Sequence, residues 1–261
     1  MFYSNIFCTF VPMKTFKNIL VFGDNHCHWE VFPNIIRDYE LDNCAVILAG
    51  DFGIGFEAMT DEVKRTFHLS KRMAHTDSVL YVVRGNHDNP EYFTGRFDTD
   101  NLKLLPDYTV LNINGLNILC VGGAYSVDRT DRWSYFNPKE NSKKSDTIAR
   151  NNYWATEPFV YDHDKVMSMK NINMVVTHSA PQICPPYTKQ NLDFWAIADK
   201  NIVQDCRIER AQLFQLYDNL TQNGNKITHW FYGHFHSHYK TPYLGTDFIG
   251  LGINEVAEIN F

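Results

Sequence analysis

Five short stretches of the chain concentrate side chains that bind metal ions and exchange protons: GDNHCH (23–28), GDFGIG (50–55), RGNHD (84–88), HSAP (178–181) and GHFHSH (233–238). Neutral imidazoles and oxygen donors of this kind suit borderline first-row divalent ions such as Mn, Fe or Zn. On an extended chain Asp24 and His26 alternate and point to one side, and His234 and His236 do the same. Asp51 alone reads more readily as a turn residue or a helix cap. His178 alone reads equally well as a structural or a functional residue. Arg84 could grip a phosphate bidentately; a surface ion pair is an equal alternative. Taken together, the five clusters point to a metal centre.

The elements that must position them are short apolar runs. NILVF (18–22), AVILA (45–49), VLYVV (79–83), NILCV (117–121), NMVVT (173–177) and THWFY (228–232) read as strands covered on both faces. All but the fourth end directly in one of the five clusters. Helical spacing appears between them: Trp29, Phe32, Ile35, Ile36 and Tyr39; Met59, Val63 and Phe67; and Val203, Cys206, Leu213, Leu216, Tyr217 and Leu220. Strand–helix–strand alternation implies a largely parallel, layered sheet. TVLNINGLNILCVGG and the closing stretch from Tyr239 add antiparallel hairpins with turns at Asn-Gly and the glycines. The fold expected is α/β, a two-sheet β-sandwich flanked by helices. Its site lies outside the carboxyl ends of the strands, where open α/β sheets bind ligands.

In that order and spacing the clusters resemble the calcineurin-like metallophosphoesterases, in a bacterial or phage-type form. The motif D-x-H … G-D … G-N-H-[DE] … H … G-H-x-H is met from Asp24 to His236. The resemblance implies a phosphoric ester hydrolase with two divalent metal ions, whose bridging hydroxide attacks a phosphomonoester or phosphodiester. It implies that Asp24, His26 and His236 hold one metal, that Asn86, His178 and His234 hold the other, and that Asp51 bridges them. His87 is then the catalytic histidine, oriented by Asp88. Two aspartates against two dications leave such a site cationic and attractive to phosphate. Paired metals acidify a shared water and clamp the oxygens of an in-line displacement. His87 would protonate the leaving alkoxide or stabilise its developing charge, an effect worth ~10²–10⁴ in rate.

The chain departs from the family at Cys27, where glycine is common; packing is the favoured role for that thiol. GDFGIG lacks the downstream Asp and Arg of the Ser/Thr protein phosphatases, and it lacks the spacing of a dinucleotide loop. GGAYSVDRTDRW (122–133) could bring Arg129 and Arg132 to substrate, and Trp133, Tyr135, Phe136, Tyr153 and Trp154 could stack on a ring. His28, His68, His75, His163 and His229 read as structural or surface residues, and His238 as a non-ligand.

The chain has 261 residues, 44% hydrophobic and 21% charged, with a formal net charge of -6. That balance counts against a nuclease or any general nucleic-acid binder. No apolar run reaches membrane length. Six scattered cysteines with no C-x-x-C pair read as reduced thiols of a cytoplasmic protein. One domain spans 1–261, with 1–12 as an N-terminal extension and 128–158 as a surface insertion. The substrates expected are a phosphorylated small molecule, a nucleotide or a phosphoprotein. The rival reading is a non-catalytic interaction module on the same fold. Such modules lose ligands, whereas here all seven ligand positions and His87 are present.

Overall fold

The computed structural model describes residues 15–130, 132 and 153–259. The proposed N-terminal extension, most of the proposed insertion and the aromatics Trp133, Tyr135 and Phe136 lie outside the described residues.

Six of the strands fall where the apolar runs predict, within a residue at either end: β1 (Asn18–Phe22), β2 (Cys44–Leu48), β3 (Val79–Val82), β6 (Leu116–Val121), β7 (Met174–Thr177) and β8 (His229–Tyr232). The others are β4 (Leu102–Leu104), β5 (Thr109–Ile113), β9 (Tyr239–Tyr243), β10 (Thr246–Gly250) and β11 (Val256–Ile259). They form two mixed sheets, ordered β11-β1-β2-β3-β4 and β5-β6-β7-β8-β10-β9. In the first, β1 to β4 are parallel and β11 is antiparallel. In the second, β6, β7, β8 and β10 are parallel, edged by antiparallel β5 and β9.

Side-chain alternation divides each central strand between two cores. Ile19, Val21, Ala45, Ile47, Val176 and Phe231 face the seam between the sheets. Leu20, Phe22, Val46 and Leu48 face outward instead. They meet Phe32 and Ile36 of α1 (Val31–Asp38) and Leu69 and Met73 of α2 (Met59–Ala74). On the other flank, Leu119, Val175, Trp230 and Tyr232 pack with Leu213, Leu216, Tyr217 and Leu220. That helical face belongs to the long helix Ile202–Gln222. Two shorter helices are His163–Ser168 and Leu192–Trp195. A run apolar on both faces therefore marks a strand sandwiched between a seam and a helix layer. No described helix is long and apolar enough to cross a membrane.

The helix expected around Met59, Val63 and Phe67 exists, but it faces the other way. Those three side chains are exposed, and Glu62, Thr66, Leu69, Ser70 and Met73 are buried. Glu62 must lie inside because its Oε1 accepts the amides of Gly55, Phe56 and Glu57 at 3.0–3.1 Å, closing the loop after β2. Spacing reveals a helix, but the needs of the adjoining loop set its rotation.

Candidate metal centre

Beyond β1, β2, β3, β7 and β8 the chain turns, and the five clusters meet. The convergence comes from turns rather than from strand alternation. His26, Asp51, His234 and His236 all have left-handed backbone, with φ of 49°, 51°, 65° and 55°. Each such non-glycine residue costs on the order of 1 kcal/mol or more and persists only where its surroundings impose it; such outliers concentrate at functional sites. The surroundings here are the neighbouring loops. His26 N and Asn25 N donate to the Asp51 carbonyl at 2.7 and 3.2 Å. His234 N donates to Asp24 Oδ1 at 2.7 Å, and His87 N to Asp51 Oδ1 at 2.8 Å. A Cβ on Gly85 would lie 2.1 Å from Asp51 Oδ1, so only glycine lets these loops touch.

Two groups of donor atoms result. Asp24, His26, Asp51 and His236 each offer an atom within 4.8 Å of the others. The Nε2 atoms of His26 and His236 are 3.0 Å apart, and His236 Nε2 is 2.9 Å from Asp24 Oδ2. In the second group, His178 Nε2 lies 2.9 Å from Asn86 Oδ1, 3.2 Å from His234 Nδ1 and 3.2 Å from Asp51 Oδ1. Asp51 turns its other oxygen toward the first group, 3.8 Å from His26 Nε2. The structure thus brings all seven sequence-derived ligand candidates together, with Asp51 between the two groups.

These donors fit divalent cations. Asp24 Oδ2 is buried and, although His236 Nε2 lies 2.9 Å away, makes no aligned hydrogen bond, an expensive state for a carboxylate oxygen unless a cation meets it. Nitrogen and oxygen donors without thiolate match borderline or hard first-row ions. Cys27 is not among them. Burial pushes its thiol up to about 11, and Sγ bonds the Gly53 carbonyl at 3.3 Å.

The site's titrating groups are strongly perturbed. Asp51 is held well below the usual carboxylate range: burial opposes its ionisation, but His178, His87 and His26 outweigh it. Burial also opposes a charge on His178. Asp51 and Asp24, with the Ala49 carbonyl on Nδ1, nevertheless raise it to about 9. A metal ion taking Nε2 therefore displaces a proton. His26 is lowered, first by burial, and His234 is pushed well down by burial and by Lys189. Burial brings His87 down to about 3; Asp51 opposes that shift and Arg132 adds to it.

Three expectations need correction. Asp88 does not orient His87. It is fully buried and accepts four amides: Gly53 (2.7 Å) and Ile54 (3.3 Å) on Oδ1, Gly85 (2.7 Å) and Phe52 (3.2 Å) on Oδ2. Arg84 does not reach into the site. Its buried guanidinium donates to the carbonyls of Glu157 (2.6 Å), Thr156 and Pro158 and pairs with Asp107 at 2.9 Å. Arg129 is spent on Asp199 and Asp205, at 2.5 and 2.6 Å. Two carboxylates already balance its charge.

Two other cations stand at the site instead. Arg132, named above only beside Arg129, places Nη2 2.7 Å from His87 Nδ1 and Nη1 2.5 Å from Ser126 Oγ. Ser126 Oγ also accepts Asn86 Nδ2 at 3.0 Å. Lys189 Nζ lies 2.9 and 3.0 Å from the ring nitrogens of His234. No local pattern marks Lys189, which sits in a loop eleven positions after His178. Ser126 and the buried Glu157, whose Oε1 accepts Ser126 N at 2.7 Å, were likewise invisible. His238 pairs with Glu255 at 2.6 Å, outside both groups. Trp154 packs edge-on against Phe56.

The chain matches the family model described as calcineurin-like phosphoesterase over residues 17–238. No curated protein matches it. Among solved structures it is similar to phosphopantetheinyl hydrolase from Mycobacterium tuberculosis, with 18% identity, TM-score 0.41, and 91% of this chain and 90% of that chain covered. It is also similar to a dimetal phosphatase from Danio rerio, with 10% identity, TM-score 0.47, and 91% and 87% covered. A 5'-nucleotidase precursor from Thermus thermophilus follows, with 12% identity, TM-score 0.42, and 94% and 51% covered. All three likenesses are too loose to bear on mechanism.

Proposed function

The chain belongs to the calcineurin-like phosphoesterase family of metal-dependent phosphoester hydrolases, and we propose that it cleaves a phosphomonoester or phosphodiester at the centre described above. Asp24, His26 and His236 would hold one divalent ion, Asn86, His178 and His234 the other, and Asp51 both. Mn, Fe or Zn suits this donor set. When bound, such a pair acidifies a shared water and clamps phosphate oxygens.

The observation that carries the reading is the placement of Asp51. Its two oxygens face different ligand groups, 3.2 Å from His178 Nε2 and 3.8 Å from His26 Nε2. The remaining steps fall to side chains. The His87 ring centroid lies 5.3 Å from that of His26 in the first group, within reach of a phosphate held there, and its Nε2 would face a phosphate oxygen. Arg132 and Lys189 add positive charge at the two sides of the site and favour an anionic substrate.

The test is hydrolysis of p-nitrophenyl phosphate and bis-p-nitrophenyl phosphate with added Mn²⁺, abolished by EDTA. Asp51→Asn should cost more activity than His87→Ala, because it disturbs both ligand groups; the latter should cost about 10²–10³, the loss of one preorganised donor. Full metal occupancy with no turnover of either ester would point to a non-catalytic module instead. An equal or reversed ranking, with metal content measured, would remove the bridging role of Asp51.

A further inference from the structure

The two nitrogens of the His87 ring have different surroundings. Nδ1 lies 2.7 Å from Arg132 Nη2. A guanidinium has only donors and does not lose its proton in proteins. Across that contact Nδ1 must accept, so its lone pair is occupied and the ring's proton sits on Nε2. No bond from a protein group to Nε2 is found among the described residues.

Arg132 is built into place. Its side chain is 11% exposed. Nη1 donates to Ser126 Oγ at 2.5 Å and lies 3.7 Å from Glu157 Oε2, while Nε lies 3.9 Å from Asp128 Oδ2. Ser126 is itself held by Glu157 Oε1 through its amide and shares its hydroxyl with Asn86. Asp88, the residue that the sequence motif suggests for this role, spends both oxygens on backbone amides.

We propose that Arg132 is the positioning residue for His87. Its guanidinium fixes the neutral imidazole in the tautomer with the proton on Nε2, so His87 meets the substrate as a hydrogen-bond donor and not as a proton-transferring acid. Transfer from a neutral ring would leave an imidazolate, and a second proton on Nδ1 would face the guanidinium. The N–H therefore stabilises charge that develops on a phosphate or leaving-group oxygen and keeps its proton throughout. The identity of that oxygen rests on the phosphoester reading; the tautomer does not.

The test begins with ¹⁵N-labelled full-length chain, metal-free in EDTA and again loaded with diamagnetic Zn²⁺. Long-range ¹H–¹⁵N spectra distinguish a protonated from an unprotonated ring nitrogen, and His87→Gln identifies the signal. Wild type should show Nε2 protonated and Nδ1 bare. Arg132→Met should give an averaged mixture, and Arg132→Lys, which keeps one donor, should restore much of the wild-type pattern. In Mn²⁺-dependent assays Arg132→Met should lower kcat about 10-fold with KM changed less than about 3-fold; in a His87→Ala background it should cost no more than about 2-fold.

A wild-type ring protonated on Nδ1 or on both nitrogens would overturn the proposal. So would an Arg132→Met ring still wholly protonated on Nε2, or a loss carried by KM alone, which would mean that Arg132 binds phosphate directly. If Arg132→Met does not fold, the Arg132→Lys spectrum and the wild-type tautomer still decide. A wild type with metals bound but no turnover would remove the phosphoester reading and leave the spectral test standing.

Discussion

Replacing Asp88 with Asn separates a structural carboxylate from a catalytic one. Each of its oxygens accepts one short amide bond, from Gly53 and Gly85 at 2.7 Å, and one longer bond, from Ile54 at 3.3 Å and Phe52 at 3.2 Å. An Asn keeps one oxygen and turns an –NH₂ toward the other two amides. Those two donors would be buried without acceptors, at about 1–3 kcal/mol each. Relief of repulsion offsets part of this: burial and the nearby Asp51 push Asp88 up to about 6, against the amides of Gly85, Gly53 and Ile54. That rise is worth about 3 kcal/mol against the ionised form at neutral pH, so the net loss is at most about 3 kcal/mol, still a large share of a typical domain's stability.

The assay is urea unfolding in EDTA, where no metal bonds the loop. With a denaturant slope of about 3 kcal/mol per M, the midpoint should fall, by up to about 1 M. Because the amides at stake flank Asp51, Mn²⁺ affinity should fall as well, with His87 itself untouched. The reasoning fails if Asp88→Asn unfolds at the wild-type midpoint and binds metal normally yet loses turnover. That result would return Asp88 to the role of orienting His87.

Three further outcomes are expected. Gly85→Ala should abolish metal binding in the Asp51 loop, because its Cβ would meet Asp51 Oδ1 at 2.1 Å and the Asp51 amide at 2.2 Å; calorimetry showing two intact Mn²⁺ sites would refute this. Lys189→Met removes a positive charge 2.9 Å from His234 Nε2 and should tighten the weaker Mn²⁺ site about tenfold, roughly 1.4 kcal/mol; unchanged affinity would show that the ammonium does not compete there. Burial raises Glu209 from 4.5 to about 7, against hydrogen bonds from Ser179 and the Tyr125 amide. A raised folded pKa gives stability that is present in full below 4.5 and lost as pH rises through 7, on the order of 3 kcal/mol. Glu209→Gln should therefore flatten the fall in Tm between pH 5 and 8, and a parallel fall in wild type and variant would contradict it.

The layered fold was legible because its signal is local. A strand such as Val46-Ile47-Leu48 is apolar at successive positions because one side chain faces the seam and the next faces a helix. Any sheet covered on both faces asks for that. The hairpin Thr109–Val121 was legible because Asn114 and Gly115 both need positive φ, 52° and 84°, and those residue types tolerate it. The buried face of α2 was not legible: Glu62 turns inward for three amides that lie before the helix begins.

The site divides along the same line. Its ligand candidates lie within a few residues of strand ends, so strand order alone carries them to one rim. The charged helpers depend on contacts across the chain. Arg84, two positions before Asn86, finds its carbonyl acceptors 72–74 positions away and leaves the site. Arg132, 45 positions from His87, enters it. Both follow from charge balance. Arg129 meets two carboxylates and is neutralised. Arg132 has Glu157 and Asp128 only at 3.7 and 3.9 Å, and burial raises Glu157 to about 8, so that carboxyl is largely protonated at neutral pH. An arginine facing a protonated carboxyl keeps its charge for its other neighbour, the ring of His87. Which of three arginines serves the chemistry is therefore decided by which one has no carboxylate within hydrogen-bonding distance, a property of packing that residue type and spacing do not encode.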